Sequence, residues 1–285
     1  PIAGSGRISS FFGEELILGS YLSRLFPIIF CLLIIIHNKN FNQINLVYLF
    51  ILFLASDVLI FLSGERTALV LLNISTIYII LFVKKFKYLR LATYLSAIII
   101  IVLISFFNST AKKRMVDQTF HQMGLEKQDE TRVNKQFKFV NFYIFSQPHE
   151  VMIKTGLNMF ENNKIFGVGP KNYRTECRNK DNYITGYSCN THPHNTYIQL
   201  LSETGIFGFA IIFFIFIWFI FETFKIMISH LIYKKKKYND AVICIYACFF
   251  MTLWPIIPTG SFFTNWLSII YFFPIGIYLH LKDDI

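Results

Sequence analysis

The sequence predicts an all-α polytopic membrane protein with about seven transmembrane helices and one large, partly helical external loop. Three observations lead there. Of the 285 residues, 54% are hydrophobic and 15% charged, where a soluble domain carries about 25% charge. The apolar residues come in blocks near the roughly 20 that carry a helix across a hydrocarbon core of about 30 Å, too long for the strands of a membrane barrel. A count of 33 Phe and 15 Tyr against 14 Gly and 8 Pro excludes a disordered chain.

The first block, Ile17 to Ile36, carries Arg24 a few residues inside it; an intramembrane charge is costly enough to be functional or paired, and Glu15 and Asp57 are its candidate partners. The second, Asn45 to Leu62, contains Asp57. The third, Thr67 to Val83, follows the short turn Ser63 to Arg66, and the fourth, Leu91 to Phe107, follows the basic cluster Lys84, Lys85, Lys87 and Arg90. After a long polar segment come Ile206 to Ile228, Ala241 to Ile257 and Trp266 to Leu281, the first two separated by the run Lys234 to Lys237. The chain thus divides into 1–107 with an external stub and four spans, 108–205 as the large loop, and 206–285 with three spans.

If the spans alternate, Lys39, the Lys84 to Arg90 cluster, the four-lysine run and Lys282 share one side, which the positive-inside bias makes the cytoplasm. The opposite side receives the Ser63 to Arg66 turn, the connection Pro258 to Asn265 and the loop Asn108 to Gly205. The net charge of +10 is then a membrane signature, and nucleic-acid binding is not expected. Residue 1 is Pro, and no basic start with a cleavable apolar stretch precedes Arg7; the chain reads as the C-terminal part of a longer protein.

Long loops without structure are uncommon in folded domains, and this one has helical pieces. Pro148 to Asn162 places Val151, Thr155, Met159 and Phe160 near one face, and Tyr197 to Leu201 leads towards the fifth span. Gly167, Val168, Gly169 and Pro170 break the pattern between them. Cys31, Cys244 and Cys248 lie inside spans as small apolar residues. Cys177 and Cys189 are both in the loop, where an oxidising compartment permits a disulfide. The alternatives are two free thiols and, more weakly, zinc ligation with His192 and His194, although the spacing matches none of the usual zinc patterns.

The most informative stretch is Thr191-His192-Pro193-His194-Asn195, followed after Thr204 by Gly205-Ile206-Phe207-Gly208: His-Asn, nine residues, Gly-x-x-Gly. By itself it is compatible with a turn capped by Asn195 before a helix. It resembles, however, the pattern that the O-antigen ligase and polymerase family of the bacterial envelope carries in its large periplasmic loop. Phe166-Gly167-Val168-Gly169-Pro170 is similar to that family's glycine turn, Gly64-Glu65-Arg66-Thr67 to its Gly-Ser-Arg turn, and Gly6-Arg7 through Gly13 to its external segment before an earlier span. The resemblance covers nearly the whole chain.

The resemblance implies an enzyme of the bacterial inner membrane that transfers a glycan from undecaprenyl pyrophosphate to a sugar hydroxyl at the periplasmic face, without a metal or other cofactor. The acceptor is lipid A core for a ligase and a growing glycan for a polymerase; a transporter without chemistry is the reading from another class. Such a transfer needs a cationic clamp for the diphosphate and a base for the hydroxyl. Arg66 and Arg174 are the candidate clamp, since a guanidinium binds phosphate oxygens as a planar fork, with Arg24 in support; His194 is the candidate base. His192, Asn195, Gly167 and Gly169 are assigned to substrate binding and to shaping the turns. His149 stands where many family members have an arginine at the head of the amphipathic helix, so either it replaces that arginine with Arg174 compensating, or the acceptor differs.

Overall fold

The structure, a computed structural model, describes residues 8–12, 16–38, 45–122, 146–231 and 238–281. Gly6, Arg7, Gly13, Glu15, Lys39, the lysine run 234–237 and Lys282 lie outside these residues. Among the described residues the regular elements are helices: α1 Leu18–Asn38, α2 Leu46–Leu62, α3 Arg66–Phe82, α4 Lys87–Phe107, α5 Ser109–Lys112, α6 Gln118–Gln122, α7 Gln147–Asn162, α8 Tyr173–Glu176, α9 Thr196–Leu231, α10 Asp240–Thr252 and α11 Asn265–Leu281. By length and composition α1, α4 and α9 can cross a membrane, and α2, α3, α10 and α11 are shorter apolar helices. The chain is an all-α polytopic membrane protein.

Local chemistry sets several helix starts. Asn45 and Asn239 each accept a hydrogen bond from the backbone N–H two residues on, at 2.9 and 3.1 Å, and so cap α2 and α10. Asn108 closes α4 and caps α5, which widens into a π-helical turn over Lys113–Asp117 before α6. Two predicted boundaries move. The sixth span stops at Thr252 and not at Ile257, because Pro255 and Pro258 lack the N–H a helix needs. The fourth begins at Lys87, a turn before Leu91, and so draws Arg90 into the helix.

The chain forms two compact units: the first comprises residues 1–115, 216–254 and 269–285, the second 116–215 and 255–268. In the first, α10 packs against α1 and α3, and α4 against α2. Every residue of α10 but Phe250 is buried, as expected for a central helix that is apolar all round; Ala241, Cys244, Ala247 and Cys248 keep its neighbours close.

Arg90 corrects the reading of its cluster as loop charge. Its side chain is fully buried and forks onto Asp57, with Nη1 donating to Oδ2 at 2.6 Å and Nη2 to Oδ1 at 3.1 Å. Thr76 and Thr93 accept further bonds from the guanidinium, which lies 4.3 Å from the Phe26 ring centroid. Asp57 is therefore not the partner of Arg24. Arg24 is buried as well, donates from Nη1 to the Ser20 carbonyl at 3.1 Å, and has Tyr271 and Glu65 as electrostatic neighbours.

The Gly64-Glu65-Arg66 turn does something the local sequence does not announce. Glu65 stands at the N-cap position of α3, yet its carboxylate caps α1: it accepts from Gly19 N at 2.7 Å, Ser20 N at 3.1 Å and Ser20 Oγ at 2.5 Å. A helix leaves its first N–H groups without internal partners, and a carboxylate there also meets the positive end of the helix dipole. Replacing Glu65 by Ala is expected to cost about 1–3 kcal/mol, the penalty for buried donors left unpaired, read as a lower Tm of the detergent-solubilised protein. Glu65→Gln, which keeps one carbonyl oxygen, should lose less. An Ala variant as stable as the parent would remove this role.

Candidate active site

The second unit is built around α7. Ser146 precedes the helix in extended backbone, Pro148 lies in its first turn, and Glu150 meets the positive dipole end. The buried positions are Met152, Thr155, Gly156 and Met159, spaced three, one and three residues apart as one helix face requires. The predicted face included Val151 and Phe160; both are half-buried at its edges, and Met152 takes the place given to Val151. Met159 packs with Tyr173 and Cys177, flanked by Val168 and Cys189, and Cys177 is disulfide-bonded to Cys189. Tyr173 centres this core: its hydroxyl lies 3.0 Å from the Met152 carbonyl and 2.9 Å from that of Ser188, and burial pushes its phenol well above the ordinary range.

Two glycine turns lock together beneath this core. Val168 N donates to Ser202 O, Gly169 N to Glu203 O and Ile206 N to Lys164 O, each at 2.9 Å. At Gly205 the backbone has φ 66° and ψ −161°, a region only glycine occupies freely, and it breaks α9 between the loop segment and the apolar span. Gly167 has φ 66° as well, and a Cβ there would strike the Glu203–Thr204 backbone, just as one at Gly205 would strike the Ile165 carbonyl. The Gly-Val-Gly turn and the first glycine of Gly-x-x-Gly are thus two halves of one backbone contact.

Glu203 and Gln199, which sequence analysis passed over, complete the frame. Glu203 is fully buried and accepts from Tyr173 N at 2.9 Å and from Gln199 Nε2 at 2.9 Å. Gln199 also donates to Ser261 Oγ at 2.9 Å and accepts from Phe262 N at 2.8 Å. The one signal for them is a carboxylate and an amide a helical turn apart in an otherwise apolar run.

Onto this frame the His-Asn turn brings three imidazoles. Asn195 caps α9, its Oδ1 accepting from Tyr197 N and Ile198 N at 3.0 and 3.1 Å, while its Nδ2 donates to Pro255 O at 2.7 Å. The His192 and His194 ring centroids lie 4.1 Å apart, and His149 meets His194 edge-on at 5.3 Å. Thr259 binds the turn from the other side of the unit, its N–H donating to His194 O at 2.9 Å.

The histidines differ in what their nitrogens can do. His192 is buried, with Thr191 Oγ1 at 2.8 Å from Nδ1 and the Thr259 carbonyl at 3.2 Å from Nε2, so both ring nitrogens are used. Burial, followed by the neighbouring His194 charge, lowers its pKa to about 4, and it stays neutral as part of the scaffold. His194 is half-buried, in left-handed backbone with φ 54°. Burial also lowers its pKa, opposed by a hydrogen bond with the Thr259 backbone. Its Nε2 lies 3.2 Å from Nδ2 of the exposed Asn190; an amide nitrogen can only donate, so Nε2 carries a lone pair facing an exchangeable partner. His149 holds Ser146 Oγ at 2.7 Å from Nδ1. Arg174, exposed on α8, is an electrostatic neighbour of His192.

Of the residues the sequence singled out, His149, His192, His194, Asn195 and Arg174 are gathered here, with Gly167 and Gly169 in the interlocked turn. Arg66 and Arg24 belong to the first unit, where Arg66 opens α3 and Arg114 Nε donates to Gly64 O at 3.4 Å on the same turn. Among the described residues no three His, Cys, Asp or Glu side chains are placed to hold a metal ion.

Fold and site together define a polytopic helical membrane protein whose long loop is folded around a histidine cluster. Residues 48–213 match the O-antigen ligase family, and the chain belongs to that family. No curated protein and no solved structure matches it. Its general function is of the O-antigen ligase and polymerase type, that of a glycosyltransferase-like membrane enzyme working with a lipid-linked glycan donor and an acceptor.

Proposed function

We propose that the protein is a ligase that transfers a glycan from undecaprenyl pyrophosphate to a hydroxyl of lipid A core at the periplasmic face of the bacterial inner membrane. The observation that carries this reading is the half-buried imidazole of His194, its pKa lowered by burial, whose Nε2 accepts from the exposed Asn190 amide. An acceptor hydroxyl displaces that amide and gives its proton to Nε2 as its oxygen bonds to the anomeric carbon. The carbon–oxygen bond to the pyrophosphate breaks, and undecaprenyl pyrophosphate leaves with the electron pair. Arg174 and His149 offer positive charge and hydrogen bonding near that base, and Asn195 and the glycine turns hold it in place. In the first unit, Arg66 is assigned to the diphosphate, with the buried Arg24 in support. No metal enters the scheme.

The acceptor tests this reading directly. In cells with the intact gene, glycan should be found on lipid A core, and it should be absent from the core after deletion. Glycan that is shortened on deletion but never core-linked would make the protein a polymerase, and an unchanged acceptor with donor trapped on one side would make it a transporter.

Two further results are expected. Arg66→Lys keeps the charge but loses the two-pronged fork, and should lower transfer about tenfold or more, some 1.4 kcal/mol of transition-state stabilisation; full activity of the Lys variant would reduce Arg66 to general surface charge. A reporter active only in the periplasm should work when fused near Lys127 and fail near Lys236 in the full-length protein. The reverse pattern would place the long loop in the cytoplasm and end the transfer mechanism.

A further inference from the structure

We propose that Ile165 and Phe166 form a membrane-inserting knob that rests the histidine-bearing loop on the bilayer, their partner being the lipid of the interfacial zone. The two residues are 57% and 76% exposed, in the turn between α7 and Gly167, where a soluble surface would place polar side chains. Their backbone is not free to move. Ile206 N bonds Lys164 O and Gly167 N bonds Asn163 O, each at 2.9 Å, and Gly205 lies against the Ile165 carbonyl. The turn is therefore fixed at the level where α9 passes from its loop segment into its apolar span.

The knob continues an exposed apolar face of α9. Phe166 stacks on Phe207, with ring centroids 5.8 Å apart and planes at 25°. Phe207 begins a stripe with Ile211 and Phe214, which are 60%, 63% and 67% exposed; their spacing of four and three residues puts them on one side of the helix. On a membrane-spanning helix such a stripe faces acyl chains, and the stacked Phe166 extends it by one ring beyond the span. Exposed Lys164 and Lys171 flank the knob, with Glu161 a turn back on α7, and the two ammonium groups suit the phosphates of lipid headgroups. Ile165 and Phe166 carry no polar tip, so entering the acyl side of this zone takes their whole exposed apolar surface out of water.

A knob of this kind sets the height of the loop above the membrane. The interlock that holds it also holds Glu203 and, through α9, the Asn195 cap and the histidines. The inference does not depend on the transfer reading, and it would stand for any chemistry the histidines perform.

The test places a nitroxide at Phe166→Cys in the full-length protein, reconstituted in vesicles of phosphatidylethanolamine and phosphatidylglycerol. Cys177 and Cys189 are bonded to each other and Cys31, Cys244 and Cys248 are buried, so the new thiol is the reactive one among the described residues. Collisions with oxygen, which concentrates in the bilayer, should exceed those with a water-soluble nickel chelate several-fold at 166, and the same should hold at Ile165→Cys. At Lys154→Cys, exposed on α7, the order should reverse. Nickel accessibility at 165 and 166 as high as at 154 would show a knob in water and overturn the proposal. Low accessibility to both reagents would overturn it too, by showing that protein and not lipid covers these residues.

Discussion

His194→Ala is expected to lower glycan transfer by about 10²–10⁴-fold, the usual contribution of a positioned acid–base group, while membrane insertion and fold are retained. His194 is half-buried, and its Nε2 lies against the exposed Asn190 amide, whereas His192 is itself buried. His192 has both nitrogens bound inside the protein, and His149 holds a serine hydroxyl on one of its own. Removing the His194 ring gives up its bond to the Thr259 backbone but leaves the bond from Thr259 N to the His194 carbonyl in place. The pH profile supplies a second check. Burial lowers the His194 pKa, so the base is deprotonated at neutral pH and is lost only as pH falls below its ordinary value of about 6.5. The acid limb of transfer activity should therefore lie below pH 6.5, with a flat region across neutrality. Wild-type lipopolysaccharide from cells carrying the Ala variant, or an acid limb unchanged in a partly active His194 variant, would remove this residue from proton transfer.

Asp57→Ala should be the most destabilising single change in the first unit. It leaves the Arg90 guanidinium buried among Phe26, Thr76 and Thr93 without its carboxylate, and breaking a buried pair from one side costs about 3–5 kcal/mol. The expected outcome is poor recovery from membranes and a large drop in Tm in detergent. A double change, Asp57→Leu with Arg90→Met, removes both charges and should recover most of the loss, because the greater part of the penalty is an unpaired charge and not a missing attraction. If the double variant is as unstable as the single one, packing of these two side chains, not charge balance, holds α2 to α4.

Asp57 and Arg90 look unrelated in the sequence and meet in the fold. Arg90 sits in a basic cluster between two apolar blocks, so a charge pattern assigns it to a loop; in space its long side chain turns inward from the first turn of α4 and finds Asp57. Arg24 and Asp57 look like a pair because they lie in neighbouring spans, but partner choice depends on helix rotation, which hydropathy does not encode. Glu65 is the same lesson at a helix end: its sequence position caps α3, and its carboxylate caps α1, some 45 residues away. The glycines of Gly167 and Gly205 were visible as turn signals in two separate motifs, and nothing local says that each requires the other's missing side chain.

What the sequence by itself determined is what depends on composition, period and nearest neighbours. It set the all-helical membrane class, the existence of about seven apolar helices, the helix of the long loop read from Pro148 to Asn162, and the asparagine before α9 as a cap, since each follows from apolar run length or from a side chain reaching its own backbone. Only the tertiary structure decided which imidazole keeps a nitrogen available. That distinction rests on Thr259, more than sixty residues beyond the histidines, and on the burial of a carboxylate and an amide that hold the two segments together. Contacts of that separation are chosen by packing of the whole unit, and no short stretch of sequence contains them.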